Sequence, residues 1–116
     1  MKILNWNCRG IGNASTVRAL KAQIKRAKPD LIFLPETKSL TSKMDFVKNA
    51  INFDNMLVVE ANERAGGLCV LWKNGWSIRE VEFNKNLIAV TISNVVCEWL
   101  MVGFYGPPYF SKKKKA

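Results

Sequence analysis

Three polar residues stand where short apolar runs end. Asn7 follows Ile3-Leu4-Asn5-Trp6, Glu36 follows Leu31-Ile32-Phe33-Leu34-Pro35, and Tyr105 follows Leu100-Met101-Val102-Gly103-Phe104. If the runs are strands lying side by side, their ends gather at one rim of a sheet, where an amide, a carboxylate and a phenol converge. Oxygen donors of this kind suit a hard cation such as Mg²⁺, and a metal there would polarise a phosphate. Each residue alone also has an ordinary explanation: a Glu or Asn closing a strand is usually a loop residue, and a Tyr is usually half-buried packing. Only the joint placement carries chemistry.

The elements needed for that placement are legible. Lys2 to Asn7 alternates into a short strand, and Gly10 and Gly12 allow a tight loop after it. Asn13 or Ser15 caps a helix in which Val17, Leu20, Ile24 and Ala27 recur at helical spacing, with basic residues opposite. Lys28-Pro29-Asp30 stops it, and Leu31 to Leu34 reads as a strand covered on both faces. Strand, helix and strand at this spacing predict a right-handed crossover with parallel strands. Ser42 with Asp45 resembles a helix-starting box, and Phe46, Ala50 and Phe53, flanked by Met44, Val47 and Ile51, are expected on its buried side. Strands are then predicted at 56–60, 68–72, 76–83, 87–93 and 97–105, with Asn74-Gly75 as a hairpin turn. The pattern is α/β: a crossover followed by an antiparallel meander.

At 116 residues, 48% hydrophobic and 23% charged, the chain is one globular domain or a piece of one. It carries 18 Lys and Arg against 9 Asp and Glu, a net charge of +9, with four positives in the run Lys112 to Lys115. Such a balance attracts polyanions, with nucleic acid the natural partner, although lysines also merely solvate helix faces. With no histidine, Ser-His-Asp and Cys-His catalysis and two-histidine zinc sites are excluded. Cys8, Cys69 and Cys97 form no Cys-x-x-Cys pair and read as small buried residues in a reducing compartment. No apolar run approaches the ~18 residues that span a bilayer. No membrane association is expected, and an intracellular location, nucleus or cytoplasm, is.

Asn5-Trp6-Asn7-Cys8-Arg9-Gly10 and Leu34-Pro35-Glu36-Thr37-Lys38 resemble the first two signatures of the endonuclease/exonuclease/phosphatase superfamily. Gly66-Gly67-Leu68 and Phe104-Tyr105-Gly106-Pro107-Pro108 look like its next two landmarks, in order. Within it, the chain is most similar to the apurinic-endonuclease-like domain of plant LINE-type (non-LTR) retrotransposons. The resemblance implies the N-terminal half of a four-layer α/β sandwich, a mixed sheet with two helices on one face, each half of the fold contributing one sheet. Residues 1–116 would then be a partial domain that ends before its C-terminal half.

The resemblance also implies roles. Glu36 would be the metal-binding carboxylate, and Asn7 would share the site of Mg²⁺ or Mn²⁺ and orient the nucleophile or a ligand. Tyr105 would hydrogen-bond the scissile phosphate, with Arg9 and Lys38 as further phosphate contacts. Arg9 stands where some relatives carry an acidic residue, and Pro108 where apurinic endonucleases often carry asparagine. The family's second half supplies an Asp-x-Asn pair and a late Asp-His pair, and nothing after Tyr105 here contains Asp, Glu or His. The lysine run and Ala116 look like the opening of the next helix.

The expected function is therefore that of a truncated, Mg²⁺-dependent, DNA endonuclease-like phosphodiesterase, catalytically incomplete alone. Two alternatives stand beside it: a non-catalytic basic nucleic-acid-binding module on the same scaffold, and a lipid or inositol-phosphate phosphatase elsewhere in the superfamily. An uncovered sheet face is expected to drive self-association or pairing with a complementary half.

Overall fold

The structure, a computed structural model, describes residues 1–62 and 65–104. Its elements in chain order are β1 (Ile3–Asn5), α1 (Ala14–Ala27), β2 (Leu31–Pro35), α2 (Thr41–Ala50), β3 (Asn55–Val59), β4 (Leu68–Trp72), β5 (Ser77–Asn84), β6 (Leu87–Ser93) and β7 (Glu98–Phe104). Two sheets form, one in the order β1-β2-β4-β3 and the other in the order β5-β6-β7. β1 pairs parallel to β2, as the crossover requires, with Ile3 opposite Leu31 and Asn5 opposite Phe33. β4 then pairs antiparallel with β2 on one side and with β3 on the other.

β2 shows why its sequence is continuously apolar. Ile32 and Leu34 join Val17, Leu20, Met44 and Val47 in a core beneath the two helices. Leu31 and Phe33 face the other way, into a second core with Ile88, Val90 and Ile92 of β6. β4 divides likewise, Cys69 and Leu71 toward the helices and Leu68, Val70 and Trp72 toward the second sheet. A period-two alternation of destinations, both apolar, reads in sequence as an unbroken hydrophobic run.

The mixed sheet with helices on one face is therefore present, but its other face is covered from within the chain. The second sheet does this, so the expectation of one sheet per half fails. Asn74-Gly75 is the point of departure. It turns the chain, with Gly75 at φ +104°, yet β4 and β5 do not pair, because β2 and β3 already occupy both edges of β4. The strand after the turn must start a new sheet. What stays exposed is the outer face of that sheet, where Leu100, Val102 and Phe104 of β7 are 63%, 52% and 58% exposed.

α1 is capped as its sequence suggests, Asn13 Oδ1 accepting from the Thr16 N–H at 2.9 Å. Lys28 ends it in the left-handed conformation, donating its N–H to Ile24 O at 2.7 Å. α2 departs from expectation. Leu40 is its N-cap and makes no side-chain cap bond, so Ser42 lies inside the helix. Its first turn is held from outside, by Glu60 Oε2 accepting from the Thr41 N–H at 2.8 Å. Met44, Val47 and Ile51 face the sheet, and Phe46 points to solvent at 62% exposure with Lys43 Nζ 5.0 Å over its ring. Of the cysteines, Cys8 and Cys69 are buried and Cys97 is exposed, correcting the reading of all three as core; all are free thiols. No helix among the described residues is long and apolar enough to cross a membrane.

Two predictions follow from how α2 is seated. Met44→Ala should cost about 2–5 kcal/mol in urea denaturation, whereas Phe46→Ala should cost less than about 1 kcal/mol. The reverse order would mean the helix is rotated. The Thr41 N–H and then its side chain hold the Glu60 carboxyl below its ordinary pKa. A folded pKa below the unfolded one gives stabilisation that is complete above the unfolded value and lost as pH falls through the folded value. The Thr41 amide resonance should therefore titrate with Glu60 in acid, and Glu60→Gln should abolish that titration.

Candidate metal and phosphate site

Parallel pairing sends the carboxyl ends of β1 and β2 to the same rim, the usual place for ligands in such sheets. Two loops leave there, and backbone hydrogen bonds stitch them together. Trp6 donates its N–H to Phe33 O at 3.1 Å, Gly10 to Glu36 O at 2.8 Å, and Ile11 to Thr37 O at 3.0 Å. A third loop, between β3 and β4, is stitched to the other side: Thr37 donates to Gly67 O at 3.0 Å and Lys38 to Gly66 O at 2.8 Å. Glu36 thus sits on the middle strand of a three-loop seam. The buried Cys8 thiol lies beneath it, within donor reach of Pro35 O at 3.6 Å and Glu36 O at 3.5 Å. Burial pushes that thiol's pKa up, so it acts as a neutral packing group and not as a nucleophile.

The seam is strained. Glu36, Lys38 and Arg9 adopt left-handed backbone at φ +59°, +53° and +49°. Each non-glycine residue there costs about 1–2 kcal/mol, and such residues cluster where function holds them in place. The stitching offsets that cost. Both α1 and α2 begin just after loops leaving this rim, so the positive ends of two helix dipoles lie on its side.

The side chains fit a hard cation and a phosphate. Glu36 is half-buried, and its Oε1 lies 4.0 Å from Lys38 Nζ, the two side chains being 20% and 42% exposed. A pair that open to solvent contributes about 0–1 kcal/mol, so it holds the Lys38 ammonium only weakly. Asn7 is exposed, and its Oδ1 accepts from the Arg9 N–H at 3.0 Å, which fixes the amide and leaves a second lone pair. Mg²⁺ is typically held by one or two carboxylates completed by water and substrate phosphate. Glu36 and Asn7 match that donor set. Among the described residues, no group of three His, Cys, Asp or Glu gathers to hold an ion with protein atoms alone.

The structure brings Asn7, Arg9, Glu36 and Lys38 to one rim. Tyr105 lies outside the described residues, as do the Gly106-Pro107-Pro108 segment and the lysine run. The strand leading to Tyr105 is informative. β7 belongs to the second sheet, so it faces β2 instead of lying beside it. Trp99 and Met101 line a groove with Met1 and Ile3, while Gly103 lies against Phe33 so closely that a Cβ there would come within 2.8 Å of the ring. β7 therefore runs in the same sense as β1 and β2, toward the same rim. Sequence reasoning missed Thr37, fully buried between Glu36 and Lys38, and Glu60, which anchors α2. A polar residue between two candidate site residues was the available signal for Thr37; for Glu60, whose partner is a backbone N–H 19 positions away, there was none.

No protein-family model matches the chain, and neither does any curated protein. Solved structures do. The AP endonuclease LMAP from Leishmania major is 18% identical with a TM-score of 0.64, covering 98% of this chain and 44% of its own. The Xenopus laevis APE2 catalytic domain is 19% identical with a TM-score of 0.64, covering 99% and 48%. The endonuclease domain of TRAS1, a telomere-specific non-LTR retrotransposon, is 12% identical with a TM-score of 0.58, covering 98% and 49%. The chain spans about half the length of the solved structures it matches. It has the α/β fold of the endonuclease/exonuclease/phosphatase superfamily.

Proposed function

We propose that this chain forms the cation- and phosphate-binding part of a Mg²⁺- or Mn²⁺-dependent phosphodiesterase that acts on DNA, and that alone it is catalytically incomplete. In this reading residues 1–116 are a partial domain of retrotransposon endonuclease type, working inside the cell in nucleus or cytoplasm. The observation that carries it is the seam that fixes the Glu36 carboxylate beside the loop of Asn7, at the rim where two helices begin. A bound Mg²⁺ would polarise the phosphate. Glu36 and Asn7 hold the ion's side of the site, Arg9 and Lys38 neutralise phosphate oxygens, and Tyr105 donates to the oxygen that gains charge during attack.

Hydrolysis also needs an activated water. The chain has no histidine, and the other carboxylate at that rim, Glu60, is committed to the Thr41 N–H at the start of α2. Loss of general-base assistance alone costs about 10²–10⁴ in rate. The purified 116-residue chain should therefore nick plasmid DNA negligibly in Mg²⁺. Nicking that Glu36→Ala abolishes would show a complete site and overturn the reading.

A basic DNA-binding module without catalysis is the second reading, favoured by the Lys38 ammonium already standing 4.0 Å from Glu36. Salt-dependent DNA binding indifferent to both Mg²⁺ and Glu36→Ala would select it. In either case the exposed Leu100, Val102 and Phe104 face should be covered by a second copy or a complementary half. Light scattering should show self-association of the chain alone; a monodisperse monomer that binds no hydrophobic dye would refute that.

A further inference from the structure

Gly66 and Gly67 both have positive φ, +76° and +89°, but they differ in what surrounds them. A Cβ on Gly66 would meet nothing within 4 Å. On Gly67 it would lie 2.3 Å from Thr37 Oγ1, 3.1 Å from Lys38 N and 3.4 Å from the Ala61 Cβ. Gly66 is needed for the turn alone; Gly67 also makes room. Thr37 fills that room completely buried, and its hydroxyl has no hydrogen-bond partner. An orphaned buried hydroxyl is unfavourable, so the site keeps it for its shape. Its backbone, by contrast, is tied on every side: N–H to Gly67 O at 3.0 Å, and C=O accepting from Ile11 N at 3.0 Å and Ser39 Oγ at 3.0 Å.

We propose that Gly67 is a positioning residue for Glu36: the space it leaves seats Thr37, and the seated Thr37 holds Glu36 and Lys38 in their left-handed conformations at the rim. Thr37 acts here by shape. The residues on both sides of it are the left-handed ones, so displacing it must turn one or both out of the seam. The inference rests on Glu36 being the cation ligand, and the test separates the two.

Isotopically labelled chain is examined by NMR for the strong intraresidue HN–Hα contacts of left-handed Glu36 and Lys38, and for Mn²⁺-induced broadening around residue 36. Gly67→Ala should weaken both contacts and lower apparent Mn²⁺ affinity roughly 10–100-fold, the range for losing an outer partner of a metal ligand. The β6 resonances should stay unmoved. Adding Thr37→Ala to Gly67→Ala should bring the affinity back to that of Gly66→Ala, which carries the positive-φ strain with no neighbour within 4 Å; a merely destabilising change would not be rescued this way. If Gly67→Ala does not fold, Thr37→Val decides: it keeps the shape, so it must keep both the contacts and the affinity. Unchanged contacts and broadening in Gly67→Ala, no rescue in the double variant, or losses in Thr37→Val would each overturn the proposal. Wild-type chain without Mn²⁺ broadening that Glu36→Gln removes would refute the cation reading, while the HN–Hα contacts would still decide the positioning role.

Discussion

The end of β2 is the constraint on which the site depends. A strand buried on both faces must stop abruptly, because its next residue would otherwise carry a charge into the core. Here the chain stops by turning left-handed at Glu36, immediately beyond the last residue of the strand, Pro35. The turn is unfavourable by itself. It persists because the loops on either side donate to and accept from its backbone, from Gly10 and Ile11 on one flank and Gly66 and Gly67 on the other. The same bonds that satisfy the backbone of a buried strand end therefore fix the carboxylate at the rim.

The second sheet contributes less directly. It seals the far face of the first through Ile88, Val90 and Ile92 against Leu31, Phe33, Val70 and Trp72. That packing makes β2 rigid, and the glycine at 103 allows β7 to lie directly on Phe33. Two strands from different sheets thus point at one rim without being hydrogen-bonded neighbours. A site assembled this way depends on inter-sheet packing as much as on strand pairing. Core changes at Phe33 should therefore reach the rim by displacing β7 as well as by loosening β2.

Much of this was legible in the residues. Leu31 to Pro35 and Leu68 to Trp72 announce doubly covered strands by continuous hydrophobicity, and Asn13 announces a cap by its side-chain chemistry. Placing Glu36 and Asn7 at strand ends needed nothing more, and parallel pairing brought them together. Partner choice was not legible. Asn74-Gly75 encodes a tight turn, but whether the flanking strands pair depends on which edges are already taken, and β4 had none left. Phe46 failed for a related reason: an α2 face rich in apolar residues offers more than one stripe, and the core that Met44 and Val47 share with Ile32, Leu34, Cys69 and Leu71 decides which is buried. Thr37 lay hidden because its role is steric and its partner, Gly67, is thirty positions away in sequence.

The fold explains the placement of four candidate residues from one physical cause, the stitching of the Glu36 turn. Amide hydrogen exchange tests that cause most directly. The N–H groups of Gly10, Ile11, Thr37 and Lys38 belong to loops at an exposed rim, yet each is hydrogen-bonded across the seam. They should exchange as slowly as the amides of β2 and β4, opening only with the core. Exchange as fast as that of Asn86, whose N–H is bonded only to the nearby Asn84 side chain in an exposed turn, would show that the loops move independently and that nothing holds Glu36 and Asn7 together.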